Sequence, residues 1–144
     1  MTGPWGQIRC VVTPFDDRSL NTGPHWRRQT GHGYLNGTFL QTHTHGAVAR
    51  VSHLTRVSAF GLLVATGPRQ GRIRAEFIDP DGFVIWNRVL NLHSPQPHKR
   101  VVRSALYESN SCCDSGLRGR IVFKVVSRGQ PVNVDGVFVV KSPL

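Results

Sequence analysis

Gly71-Arg72-Ile73-Arg74-Ala75-Glu76-Phe77-Ile78-Asp79-Pro80-Asp81-Gly82-Phe83-Val84-Ile85-Trp86 is the stretch that decides the fold class. Ile73, Ala75 and Phe77 alternate with Arg72, Arg74 and Glu76. Successive side chains of an extended chain point to opposite faces, so this segment is apolar on one face and charged on the other. Asp79-Pro80-Asp81-Gly82 then turns the chain, Pro fixing one dihedral and Gly accepting a positive φ, and joins it to a second run, Phe83–Val89.

Outward from there the pattern repeats. Short β-branched or aromatic runs bounded by Gly, Pro, Asp or Asn occur at Ile8–Thr13, Leu35–Thr42, Ala47–Ser52, Ala59–Ala65, Arg72–Ile78, Phe83–Val89, Lys99–Tyr107, Arg120–Ser127 and Val132–Val140. Ile121, Phe123 and Val125 share a face. Phe60–Ala65 and Val137–Val140 are apolar on both faces, which predicts central strands. Gly67-Pro68-Arg69-Gln70-Gly71 and Ser127-Arg128-Gly129-Gln130-Pro131 read as further hairpin turns. No window of helical period with a capping box in front of it interrupts the series. The expectation is an all-β protein, a two-sheet antiparallel β-sandwich of jelly-roll type with about nine strands. It forms one domain over 1–144, in which 1–34 supplies a strand and a long N-terminal loop and 35–140 the sandwich body.

The 144 residues suffice to bury a core without staples. No apolar run reaches the ~18 residues of a membrane helix, and no basic segment followed by an apolar one marks a secretory signal at the start. The expectation is a soluble chain that either works inside a cell or belongs to a longer exported protein, and placement outside the cell or on its surface is preferred. The formal net charge of +10 draws such a domain toward polyanions. Of its 18 cations 15 are Arg, scattered singly apart from Arg27-Arg28 and Lys99-Arg100, a skew that genome composition also produces. Cys10, Cys112 and Cys113 allow one disulfide and leave one thiol over, and the absence of a C-x-x-C pair speaks against structural zinc.

The order Asp16-Asp17-Arg18, Trp26, Tyr34-Leu35-Asn36-Gly37-Thr38-Phe39 and Gly46-Ala47 resembles the galactose-binding-domain-like jelly rolls, a carbohydrate-binding-module-like fold. Phe60-Gly61-Leu62-Leu63-Val64, Arg74-Ala75-Glu76-Phe77-Ile78-Asp79 and the closing Pro131-Val132-Asn133-Val134-Asp135-Gly136-Val137-Phe138-Val139 continue the likeness. It runs from Asp16 to Val140. The chain departs from that pattern at the lengthened Asp79–Gly82 turn and at Ser109–Gly116. The resemblance implies a non-catalytic, lectin-like module whose partner is a glycan or cell-surface polysaccharide.

Sugar recognition needs an aromatic platform and planar polar groups for hydroxyls. Trp26, flanked by His25 and Arg27 in the long loop, is the candidate indole, set against the commoner role of a Trp that anchors a loop. Trp86, within a strand pattern, reads as a packing residue. Four connections are expected at one end of the sandwich: around His25-Trp26-Arg27, His53–Val57, Asn91–His98 and Ser109–Gly116. Arg56, Asn110 and Asp114 would there supply hydroxyl-binding groups, although turns use such residues for their own backbones. His43-Thr44-His45 places two imidazoles on one strand face, for which a solvated polar face is preferred over a metal. Asp16, Asp17 or Asp135 could offer oxygens to a structural calcium, which is not assigned; no other cofactor is expected. No catalytic motif appears, so an enzyme ranks below the binding readings. Carbohydrate binding ranks first, nucleic-acid or other polyanion binding second, and a structural assembly role third.

Overall fold

The computed structural model describes residues 11–32, 34, 37–96, 98–102 and 116–141. Its strands are β1 (Val11–Asp16), β2 (Asn21–Thr22), β3 (Arg27–Thr30), β4 (Thr38–Thr42), β5 (Val48–Thr66), β6 (Arg72–Ile78), β7 (Val84–Asn91), β8 (His98–Val102), β9 (Leu117–Val125) and β10 (Val132–Lys141). A single 3-10 turn, Asp17–Ser19, follows β1. The all-β antiparallel sandwich expected from the alternation is present.

All ten strands join in one ladder because β5 takes part in both layers. Val48–Val51 pairs with β9, which pairs with β6, and β6 with β7. Val57–Val64 pairs instead with β10, whose other edge carries β1 and β4, and β3 lies beyond β4. At ~3.3 Å per residue a straight strand of β5's 19 residues would be ~60 Å long, far beyond a domain of this size. The strand instead bends where its register against β9 shifts, at Val51/Leu54 and Leu54/Val57. His53 and Arg56 take the strain there, at φ 59° and 56°. Strands that change sheet do so through such bulges.

Between the layers lies a core of Phe60, Leu62, Val64, Ile73, Phe77, Ile121, Phe123, Val134 and their neighbours, all essentially inaccessible. Phe60, on the β10 side, meets Phe77, on the β9 side, with ring centroids 5.7 Å apart, and Trp86 packs edge-on against Phe60 at 5.2 Å. Ile73, Ala75 and Phe77 all point into this core, as their alternation requires. The apolar Phe60–Ala65 and Val137–Val140 runs lie in strands paired on both sides.

Several local expectations need correction. Asp79–Gly82 does close a hairpin: Gly82, at φ 91°, donates to the Asp79 carbonyl at 3.0 Å, and Asp79 Oδ1 accepts from the Asp81 and Phe83 N–H groups. The other two turns are not hairpins. Gly67–Gly71 leads from the β10-paired arm of β5 into β6, and Ser127–Pro131 leads from β9 to β10; neither pair of strands is bonded together. Both turns carry the chain across from one layer to the other. Turn chemistry sets a reversal but not the neighbour that the next strand finds. Ala47–Ser52 and Ala59–Ala65 belong to one bent strand. The stretch expected to be a long loop carries β2 and β3, each bonded to a strand edge.

Candidate functional site

The residues between Leu20 and Thr30 follow the sandwich edge closely. Gly23 donates to the Val48 carbonyl at 3.1 Å, and the Trp26 indole Nε1 donates to the same oxygen at 3.0 Å. Trp26 is 9% exposed and packs in the core. Its ring is therefore an anchor for the segment, not an open platform, and it fixes His25 and Arg27 on either side.

A deeper clamp holds β3 and β4. The Asp17 side chain is fully buried, accepts from Arg28 Nε at 2.8 Å on Oδ2 and from the Thr38 hydroxyl at 2.8 Å on Oδ1. Arg28 and Thr38 come from opposite strands of the β3–β4 pair. With Arg28 facing inward, alternation turns Arg27 and Gln29 outward. On β4, Thr38, Leu40 and Thr42 are buried, which turns Phe39 and Gln41 outward beside them.

These outward residues form a site. Arg27 lies opposite Gln41, and Gln41 lies opposite Asn133 of β10, to whose Oδ1 its Nε2 donates at 2.8 Å. An open cleft of about 380 Å³ runs along them, lined by His25, Arg27, Gln29, Gln41, His43 and Thr44 among others. His25 is held at its mouth by the Thr42 hydroxyl, which donates to the His25 carbonyl at 2.8 Å. Next to Gln41 on the same face, Phe39 stacks on Tyr34, with centroids 4.2 Å apart and planes 26° from parallel. Burial pushes the Tyr34 phenol above its ordinary pKa; a side-chain hydrogen bond with Asn133 pulls it down and the Asp135 charge raises it. One outer face thus presents an aromatic pair, three primary amides, a guanidinium and two imidazoles. Amides both donate and accept, as sugar hydroxyls do, and a half-exposed aromatic pair offers a flat apolar surface.

Of the residues singled out in the sequence, His25 and Arg27 come together in this cleft. Arg56 does not: it is exposed on the β5 bend and lines neither this cleft nor a second one, of about 420 Å³, lined by His53, Thr55, Asp79, Arg118 and Arg120 among others. The His53–Val57 bend sits against Leu117 and Gly119, while the His25 segment sits against Val48 at the other end of that arm, so these connections do not gather at one end. Asn110, Asp114, Cys10, Cys112 and Cys113 lie outside the described residues. Among the described residues no three His, Cys, Asp or Glu side chains form a group that could hold a metal. Asp17 is committed to Arg28 and Thr38, Asp16 accepts from the Ser19 hydroxyl at 3.3 Å, and Asp135 lies near Tyr34. Sequence reasoning missed Gln29, Gln41, Asn133 and the Tyr34–Phe39 pair. The signal for three of them was the polar or aromatic member of an alternating strand, at Phe39, Gln41 and Asn133.

No protein-family model matches the sequence, and no curated protein matches it either. Solved structures do match. A family 6 carbohydrate-binding module from Clostridium stercorarium, in complex with cellobiose, aligns with TM-score 0.55 at 13% identity over 90% of this chain and 93% of that one. A CBM36-1 domain of a multidomain xylanase from the hindgut metagenome of Trinervitermes trinervoides aligns with TM-score 0.51 at 9% identity over 90% and 96%. A family two carbohydrate esterase from Cellvibrio japonicus aligns with TM-score 0.58 at 10% identity over 92% of this chain, which spans 33% of the esterase. The fold is thus the β-sandwich of carbohydrate-binding modules, a fold that also forms part of enzyme chains.

Proposed function

We propose that the chain is a non-catalytic glycan-binding module, acting at the cell surface or outside the cell within a longer exported protein. The observation that carries this reading is the unbroken outer face from His25 and Arg27 through Gln29, Gln41 and Asn133 to the Tyr34–Phe39 stack. A glycan lying along it would exchange hydroxyl hydrogen bonds with the amides and Arg27, and rest an apolar ring face near the aromatic pair. The fold shared with carbohydrate-binding modules supports the reading, although fold by itself does not assign function. The lining of the cleft, among the described residues, holds imidazole, guanidinium, amide and hydroxyl groups and no carboxylate, which favours recognition over acid–base hydrolysis.

The test is affinity electrophoresis of the whole chain in gels containing neutral β-glucan, xylan, mannan or galactan. At least one polymer is expected to retard it. Gln41→Ala should weaken that retardation by about tenfold, since it removes a hydrogen-bonding group and frees Asn133 from its partner. Unimpeded migration in every gel would overturn the reading.

A further inference from the structure

On the opposite layer, the outward face of β5, β9, β6 and β7 has a different chemistry. Ala49, Val51, Ile73, Ala75, Phe77, Ile121, Phe123 and Val125 point into the core. The alternate positions point out, and the ladder registers arrange them in rows. One row runs Val48, Lys124, Arg74, Val89. The next runs Asn21, Arg50, Val122, Glu76, Asn87. Arg72 flanks the first row opposite Asn91, and Arg120 flanks the second opposite Ile78. Arg50, Arg72, Arg74 and Lys124 are exposed and Arg120 is half-buried. Beyond Arg120 the band opens into the cleft that Arg118 and Thr55 also line.

Two facts single this band out from a generally basic surface. Arg74 and Lys124 are direct cross-strand partners, with Arg72 one step along the same face of β6. Like charges set directly opposite each other in a sheet are destabilising, and among the described residues none of these cations forms an ion pair within 4.0 Å. An anionic ligand would relieve that repulsion. Second, the groups between the cations are aliphatic or amide, Val48, Val122, Val89, Ile78, Asn87 and Asn91, with Glu76 the single carboxylate in the two rows against five cations on the face. Single-stranded nucleic acid is held by aromatic platforms on which bases stack, and a duplex groove needs a protruding helix or ribbon. This face is a sheet surface without a ring in its rows. Guanidinium groups spaced along a flat aliphatic surface suit carboxylates carried on a chain of sugar rings.

We propose that this face is a second glycan site, specific for a carboxylate-bearing polysaccharide. It rests on the glycan reading for the class of polymer and on its own charges for the acidity. The test uses the whole chain with polygalacturonate, the methyl-esterified polymer, a neutral glucan and single-stranded DNA, in affinity electrophoresis or titration calorimetry. Polygalacturonate should bind about tenfold or more tightly than its ester at low salt, and the difference should shrink as salt screens the charges. The double variant Arg74→Ser/Lys124→Ser should lose at least about tenfold in affinity for polygalacturonate and keep or raise its unfolding midpoint, because both groups are exposed and their mutual repulsion is removed. Arg50→Ser provides an independent variant with the same expected direction. Equal binding of acid and ester, full binding by the double variant and by Arg50→Ser, or tighter binding of DNA than of polygalacturonate overturns the proposal. Absence of neutral-glycan retention by the unaltered chain, with polygalacturonate binding intact, would count against the β3–β4–β10 site and leave this one standing.

Discussion

The clamp at Asp17 makes a prediction whose sign is unusual. Its carboxylate is fully buried, while the Arg28 side chain that neutralises it is 46% exposed. Removing the anion by Asp17→Asn releases a cation that water can reach, and the amide can still accept from Thr38, so the cost should be about 1–2 kcal/mol. Removing the cation by Arg28→Met leaves a buried carboxylate with the Thr38 hydroxyl as its remaining side-chain partner, which should cost about 3 kcal/mol, the lower end for a broken buried pair. Because the exposed half of Arg28 already lets water approach, the upper end is not expected. The double variant Asp17→Asn/Arg28→Met carries no stranded charge and should be more stable than Arg28→Met by itself. Urea unfolding at constant slope measures all three, and in thermal melts Arg28→Met should fall by roughly 6–12 °C. A double variant as unstable as Arg28→Met, or an Asp17→Asn more damaging than Arg28→Met, would refute the assignment of the clamp. The consequence for function is direct, since Arg28 and Thr38 hold the strands whose other faces carry Arg27, Gln29 and Gln41.

Further predictions concern the anchor, the bend and the stacked tyrosine. Trp26→Phe removes the hydrogen bond to the Val48 carbonyl and should cost about 1–2 kcal/mol in unfolding, while glycan retention per folded molecule stays the same; loss of retention with full stability would make Trp26 a ligand platform instead. Gly119 has φ 145°, and a Cβ there would overlap the Ile78 carbonyl oxygen between β9 and β6, so Gly119→Ala should destabilise by at least about 3 kcal/mol in the same unfolding assay. In a Tyr107→Phe background, ultraviolet titration should show Tyr34 ionising above about 10, and Asp135→Asn should bring it down. Since the folded pKa is the raised one, the associated stability is complete below about pH 10 and is lost as pH rises through the folded value.

Period-two alternation made the strands legible because burial on one face of a pleated chain leaves a direct trace in residue order. Ile73, Ala75 and Phe77 occupy the core face that their spacing requires, and Gly82 takes the positive φ that its turn needs. Pairing partners left no such trace. In residue order the run Ala59–Ala65 reads as the hairpin neighbour of Arg72–Ile78, yet the layers separate it from β6, because which edge a strand finds depends on covering the opposite sheet. Trp26 shows the same limit on the side of the site: its exposure was decided by the Val48 carbonyl, 22 residues away in sequence.

By itself, then, the order of residues determined an antiparallel two-layer protein, the inward set of each strand, the hairpin at Asp79–Gly82 and an excess of positive charge. Only the tertiary structure decided that the amides Gln29, Gln41 and Asn133 meet on one face and the cations Arg50, Arg74 and Lys124 on the other. A strand's sequence says which side chains face the same way; cross-strand register, fixed by core packing and by the bulges in β5, says which of them stand next to each other.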